Sequence, residues 1–162
     1  MVFMISIIIP VLNEATIIKQ ILEELQQHSG IEIIVVDGGS QDHTVAIAQQ
    51  LVTKVLTVID KGRGGQLNAG ANIAQGEILL FLHADTQLPS DFINLITNTL
   101  KQPKIVAGAF ELGIEGSNIS LRWVEILVKM RSHLLSLPYG DQAIFISKEN
   151  FIELGGFAHL LR

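Results

Sequence analysis

His83 and Asp85 stand two residues apart, just past the apolar run Ile78-Leu-Leu-Phe-Leu82. A carboxylate offers a divalent cation a hard oxygen, and an imidazole offers it a nitrogen. On an extended backbone the i, i+2 spacing puts both side chains on one face. Asp85 also has a plain reading, as the cap of a turn that closes a buried strand. Three more groups hold the same place in the pattern, each just after an apolar run: Glu14, Asp37 and Arg63. Asp37 can accept hydrogen bonds from a base or ribose. Arg63, set among glycines that permit close backbone approach, can pair with phosphate in a forked geometry. Asp85 can hold Mg²⁺ or Mn²⁺ when a diphosphate supplies further oxygens, with His83 as a ligand or as a donor to one. Taken singly, each acid also serves as a helix cap, and Arg63 as a solvated loop charge. Taken together they suit a nucleoside diphosphate.

The elements that must position these groups are legible from periodicity. The Ile run 5–9 reads as a strand buried on both faces, ended by Pro10. A helix is expected over 14–28, with Asn13 as its N-cap and Ile17, Ile18, Ile21, Leu22 and Leu25 at helical spacing. A second strand over 32–36 ends at Asp37. A turn at 38–42 and a helix over 44–51 follow. A third, edge-like strand is expected over 54–59, then a flexible loop at 61–65 that contains Arg63 and Gly64. A helix over 66–75 is rich in small residues, with Ala69, Ala71 and Ala74 allowing close approach to a sheet. After the strand at 78–82, Pro89 sits at a helix start whose buried face is Phe92, Leu95, Ile96 and Leu100. Strands over 106–112 and 143–147, a helix over 118–137, a loop at 138–142 and a short helix over 149–154 complete the chain. Alternating strands and helices over the first hundred residues predict an α/β fold with a mostly parallel, doubly wound sheet. An antiparallel addition is expected after about residue 106. In such sheets ligands bind outside the C-terminal ends of the strands, where all five groups fall.

Composition sets the limits. The 162 residues suit a single domain spanning 1–162. Hydrophobic residues make up 48% and charged residues 17%, which excludes a disordered chain. Eleven basic and sixteen acidic residues leave a formal net charge of −5 with no basic stripe, which argues against nucleic acid as a partner. There is no cysteine, so disulfides, thiolate metal sites and a cysteine nucleophile are excluded, in keeping with a reducing, cytoplasmic setting. The apolar N-terminus is too short to span a bilayer and lacks the basic flank of a signal peptide. The loop Pro10-Val-Leu-Asn-Glu14 has no glycine, which disfavours a dinucleotide-binding oxidoreductase, and neither a phosphate-binding Gly-Lys-Ser/Thr loop nor a Gly-x-Ser-x-Gly elbow is present.

Four stretches in order carry a resemblance: Ile7-Ile-Ile-Pro-Val-Leu-Asn-Glu14, Ile34-Val-Val-Asp-Gly-Gly-Ser-Gln-Asp42, Gly62-Arg-Gly-Gly-Gln-Leu-Asn-Ala-Gly70 and Phe81-Leu-His-Ala-Asp85. Together they resemble the family 2 glycosyltransferases, and the stretches Arg63-Gly-Gly-Gln-Leu-Asn-Ala-Gly70 and Pro138-Tyr-Gly-Asp-Gln142 resemble a bacterial subgroup of short members. The resemblance runs from residue 5 to about 157. It implies a GT-A fold, a nucleotide-sugar donor (commonly a UDP-sugar), an unknown acceptor, inversion at the anomeric carbon and a Mn²⁺ or Mg²⁺ cofactor. Carried over by position, Pro10, Val11, Asn13 and Glu14 would line the nucleoside pocket and Asp37 would hold the base. Arg63, Gly64 and Asn68 would lie near the donor. Asp85 would match the last carboxylate of the family's Asp-x-Asp metal motif, with His83 where the first usually stands.

In that family the general base usually belongs to an acidic pair downstream of an element like Gly155-Gly-Phe157. The last five residues of this chain contain no acid, so it looks C-terminally truncated. Asp141 is then the acidic candidate for the base, with loop stabilisation or acceptor binding as its other roles. A donor-binding chain without turnover is the alternative function. The helix over 118–137 carries Trp123, Leu127, Met130 and Leu134 beside Arg122, Lys129 and Arg131. It reads either as a surface for the inner face of a membrane near a lipid-linked or glycan acceptor, or as core or homo-oligomer packing.

Overall fold

The structure is a computed structural model and describes residues 3–111 and 142–157. The described elements are β1 (Ile5–Val11), α1 (Ile18–Leu25), β2 (Ile31–Asp37), α2 (Thr44–Leu51), β3 (Lys54–Thr57), α3 (Gly62–Ile73), β4 (Ile78–Phe81), α4 (Phe92–Leu100), β5 (Ala107–Glu111), β6 (Gln142–Ser147) and α5 (Lys148–Glu153). The expected helix over 118–137, Asp141 and residues 158–162 lie outside the described residues. Among the described residues, no helix is long and apolar enough to cross a membrane.

One six-stranded sheet has the order β3-β2-β1-β4-β6-β5. The first four strands run parallel, while β6 lies antiparallel to both β4 and β5. The expected mostly parallel sheet with an antiparallel addition is therefore present. The isoleucine run explains why β1 lies inside the sheet. Ile5, Ile7 and Ile9 face one core, shared with α1, α2 and α4, whereas Ile8 faces a second core, shared with α3 and α5. A strand covered on both faces needs apolar residues at successive positions rather than at alternate ones. Lys54 and Thr57 bound β3, which lies at the sheet edge as its looser pattern predicts.

Pro10 does not end β1, which continues to Val11 opposite Asp37. The side of the strand explains the difference. Ile8 accepts from Leu82 N–H on the β4 side, and Pro10, two residues on, turns its nitrogen the same way. Pairing with β4 stops at Ile8, opposite Phe81, so the missing N–H interrupts no ladder.

The small residues of α3 allow the expected close approach, and Gly70 is the critical one. A Cβ there would lie 2.5 Å from Ile8 Cγ2. The C-terminal end of this helix is fastened at the N-terminal edge of the sheet. Ser6, fully buried, accepts from Gly76 N–H and donates to Glu32. Glu32 also accepts from Gln75 N–H and from Lys54. Lys54 reaches the Ile73 carbonyl and Lys148 reaches the Ala74 carbonyl, so two ammonium groups meet the negative end of the helix. The positive end of α3 is thereby turned toward the opposite edge, where the parallel strands finish.

Candidate functional site

The C-terminal ends of the parallel strands line one edge. Val11 pairs with Asp37, Asp37 pairs with Thr57, and Ile8 pairs with Phe81, so the loops after β1, β2, β3 and β4 open side by side. This is the edge at which the sequence places its candidate groups.

The first two loops are laced together. Asn13 has a left-handed backbone (φ 56°), a conformation asparagine tolerates. Its N–H donates to Ser40 Oγ at 2.8 Å, and its Oδ1 accepts from Gln41 N–H at 2.8 Å. Glu14 N–H donates to Thr44 Oγ1, and Ala15 N–H donates to Asp42 Oδ2. Asp42 in turn accepts from both the hydroxyl and the N–H of Thr44. The Thr44 hydroxyl bond is the largest cause that holds the Asp42 carboxyl below its ordinary value. Asn13 is thus a tie between loops and not the N-cap of α1. That helix begins at Ile18, after Ile17 and Ile18 N–H have both bonded to the Glu14 carbonyl.

Asp37 lies inside the edge. It is 1% exposed, and its carboxylate accepts from Gly39 N–H at 2.9 Å and Ser40 N–H at 3.1 Å. It shapes the turn, with Gly39 at φ 104°. Pro10 and Val11, expected to line the pocket, are also buried within β1. The Val11 carbonyl takes Gly38 N–H and Gln66 Nε2. Gln66, 8% exposed, gives its second Nε2 bond to the Val36 carbonyl at 2.8 Å, so one amide joins the ends of β1 and β2. A Cβ on Gly38 would lie 3.1 Å from that nitrogen, so the glycine makes room for the bridge.

Arg63 sits in the first turn of a helix and not in a flexible loop, because α3 begins at Gly62, where φ is 62°. Gly64 follows it, partly buried. β4 ends at Phe81, and a turn follows in which Thr86 N–H bonds the His83 carbonyl across Ala84 and Asp85. The one-face argument for His83 and Asp85 therefore does not apply. Asp85 is exposed and His83 is half-buried. Among the described residues, Arg63 and Asp85 have no ion-pair partner, and no three acidic or histidine side chains converge as a metal cluster.

Asn68, expected near the donor, has its amide bonded to backbone. Its Nδ2 donates to the Phe157 carbonyl at 2.8 Å, and its Oδ1 accepts from Phe157 N–H at 2.9 Å. Gln66, Asp42, Ser40 and Thr44 went unassigned in the sequence reading. Their signal was present, as short polar residues facing two loops that have to be joined. Leu12 and Ile59 were also missed. They are 55% and 62% exposed in the loops after β1 and β3. Exposed aliphatic side chains at a polar edge are a signal only once the edge is known.

A cavity of about 730 Å³ opens at the far end of the sheet, between Gln75, Glu77, Lys101 and Lys148. It is remote from all of these groups, and none of the candidate residues lines it.

The sequence model described as "Glycosyl transferase family 2" matches residues 6–161. An "uncharacterized glycosyltransferase" of Nostoc sp. is 31% identical over 122 residues, covering 70% of this chain and 38% of that protein. Among solved structures, the mannosyltransferase PcManGT from Pyrobaculum calidifontis, in complex with GDP-Man and Mn²⁺, superposes with a TM-score of 0.70 at 22% identity, over 97% of this chain and 48% of that one. Glucosyl-3-phosphoglycerate synthase from Mycobacterium tuberculosis, with Mn²⁺, UDP and glucosyl-3-phosphoglycerate, gives 0.63 at 20% identity, over 91% and 57%. The fold is shared with these GT-A enzymes. The chain spans less than two thirds of the length of each of these proteins.

Proposed function

Since the chain belongs to the family 2 glycosyl transferases, we propose that it transfers a sugar from a nucleoside-diphosphate donor to an acceptor hydroxyl with inversion, assisted by a divalent cation. The observation that carries this reading is the edge itself. Exposed Asp85 and Arg63, neither with an ion-pair partner among the described residues, follow β4 and β3 at the same edge of the sheet as the laced loops after β1 and β2. The mannosyltransferase and phosphoglycerate synthase structures hold nucleotides and Mn²⁺ in the same fold, which supports the donor class.

The roles follow from the placement. Leu12 and Ile59 offer apolar surface to the flat face of a base, and the joined loops around Asn13, Glu14 and Ser40 offer polar groups to its edge and to the ribose. Arg63, on the positive end of α3, attracts the diphosphate by its own charge and by the helix dipole. The donor set fits Mg²⁺ or Mn²⁺. Asp85 supplies one hard oxygen, with His83 two residues before it, and a cation held largely by diphosphate and water needs few protein ligands. Such a cation would stabilise charge on the leaving diphosphate. The proton of the acceptor hydroxyl must pass to a carboxylate, and in this chain Asp141 is the candidate.

Calorimetry with UDP and GDP, with and without Mn²⁺, tests the reading. Mn²⁺-dependent binding of at least one of them is expected, followed by slow consumption of UDP-glucose or GDP-mannose. Absence of binding to either nucleotide would refute the donor site. Binding without consumption of any nucleotide sugar would leave a donor-binding chain.

A further inference from the structure

Beyond the β4–β6 ladder, the chain after α5 is tied back to the parallel half by a reciprocal polar contact between Asn68 and Phe157. After α5, Gly155 and Gly156 both take left-handed backbones, with φ 80° and 74°. These two residues turn the chain back so that Phe157 lies on Phe81 and Phe151, with ring centroids 4.9 and 5.5 Å away. Phe81 is the last residue of β4, the strand that leads into Asp85. Both backbone polar groups of Phe157 are then taken by the single amide of Asn68. Asn68 stands on α3 five residues after Arg63, about 7.5 Å along the helix. The chain at Phe157 is therefore held between the helix that carries Arg63 and the strand that delivers Asp85.

We infer that Asn68 is a positioning residue. Its amide fixes the end of the antiparallel part, at Phe157, against the donor half, and so governs transfer rather than nucleotide affinity. The inference rests on the glycosyl-transfer reading above. The physical basis is reciprocity. A carboxamide that donates to a carbonyl and accepts from the N–H of the same residue fixes both the position and the orientation of that peptide. One side-chain donor or one acceptor alone would leave it free to rotate. Transfer requires donor and acceptor groups to meet at about 3–3.5 Å, and misplacement by about 1 Å costs about 100-fold. Nucleotide binding by the parallel half makes no such demand on residue 157. The close fit is built from both sides, because a Cβ on Gly156 would lie 2.7 Å from Asn68 Oδ1.

Two substitutions, Asn68→Ala and Gly156→Ala, break the contact from opposite sides, and the second leaves α3 intact. In each, hydrogen exchange at the Phe157 amide should quicken at least tenfold, and the turnover number for UDP-glucose or GDP-mannose should fall about tenfold or more. The Kd for the corresponding nucleotide with Mn²⁺, and the KM for the donor, should stay within about twofold. Asn68→Asp keeps the acceptor for Phe157 N–H and should fall between wild type and Asn68→Ala. Weakened nucleotide binding in Asn68→Ala but not in Gly156→Ala would make Asn68 a ligand contact and overturn the inference. Faster exchange with unchanged turnover would reduce it to a structural tie and equally overturn it, as would a wild type that binds nucleotide and consumes no donor. A wild type that binds no nucleotide would instead refute the donor site, while the exchange measurement would still report whether the contact exists.

Discussion

The two edges of the sheet treat charge in opposite ways. At the N-terminal edge, Glu32 accepts from Lys54, Ser6 and Gln75 N–H, Lys54 also reaches the Ile73 carbonyl that ends α3, and Lys148 reaches the Ala74 carbonyl just past it. At the C-terminal edge, Arg63 and Asp85 are exposed without ion-pair partners among the described residues, while hydrogen bonds lace the loops after β1 and β2 together. One helix joins the two edges. Its negative end is neutralised by lysines, and its positive end is left toward the site. Paired charges hold a fold together, and unpaired charges on a rigid base are available to a ligand. The difference between the edges therefore separates residues that keep the chain folded from residues that give it something to do.

Substitutions that act at one edge only should test this division most sharply. Asp85→Ala should leave the thermal midpoint unchanged within error. It should lower donor turnover by about 100-fold or more, the scale seen when one group that stabilises developing charge is removed. A large loss of stability with little loss of turnover would place Asp85 on the structural side. Glu32→Ala is the converse. It strips partners from the buried Ser6 hydroxyl, from Gln75 N–H and from Lys54, and should cost about 1–3 kcal/mol in chemical denaturation. The Kd of the folded protein for UDP or GDP with Mn²⁺ should not change.

Gln66→Ala lies between the two. The Val36 carbonyl loses its side-chain partner, whereas the Val11 carbonyl keeps Gly38 N–H. A stability loss of about 1 kcal/mol is expected, together with a severalfold weaker nucleotide Kd, because the ends of β1 and β2 carry the two laced loops. A nucleotide Kd unchanged in this variant would mean that the loops keep their geometry without the bridge.

The split also shows where a sequence can be read. Apolar periodicity reports burial, so β1, β2, β4 and the buried faces of α1 and α4 could be placed from isoleucine, leucine and phenylalanine spacing alone. Polar residues report only that a hydrogen bond is needed and not where its partner lies. Asn13 looked like a helix cap because asparagine before a helix usually is one, yet its partners are Ser40 and Gln41, 27 and 28 residues away. Asn68 looked like a ligand contact within a glycine-rich stretch, yet its partner is 89 residues on. Gly62-Arg-Gly-Gly65 looked like a loop because glycine disfavours helices. Burial of Gly65 and Gly70 against the sheet outweighs that preference and draws Arg63 into the helix. The strand ends were legible, and the lacing that makes them a site was not.

The smallest expected effect concerns acid, and it separates the edges by where the protons go. Three carboxyls among the described residues are held below their ordinary values, Glu77 by its own N–H and by Met4 N–H. For Glu32, burial alone would raise the value, but bonds from Gln75 N–H, Lys54 and Ser6 outweigh it. For Asp42, the Thr44 hydroxyl and N–H dominate. A carboxyl whose value is lower in the folded than in the unfolded chain contributes stability above its unfolded value. That contribution is lost as the pH falls through its folded value. These contributions are thus full at neutral pH and decline below about pH 4, the ordinary carboxylate range. Unfolding midpoints measured from pH 6 to 3 should be flat at first and then fall. Glu32→Gln removes one of the two contributions at the N-terminal edge, the other being that of exposed Glu77, and should flatten part of the acid limb. Asp42→Asn should change that limb little, because Asp42 is exposed and solvent weakens its contribution, but it should loosen the bond to Ala15 N–H. If Asp42→Asn flattened the acid limb more than Glu32→Gln, the laced loops, and not the saturated edge, would be the part of the fold that acid undoes.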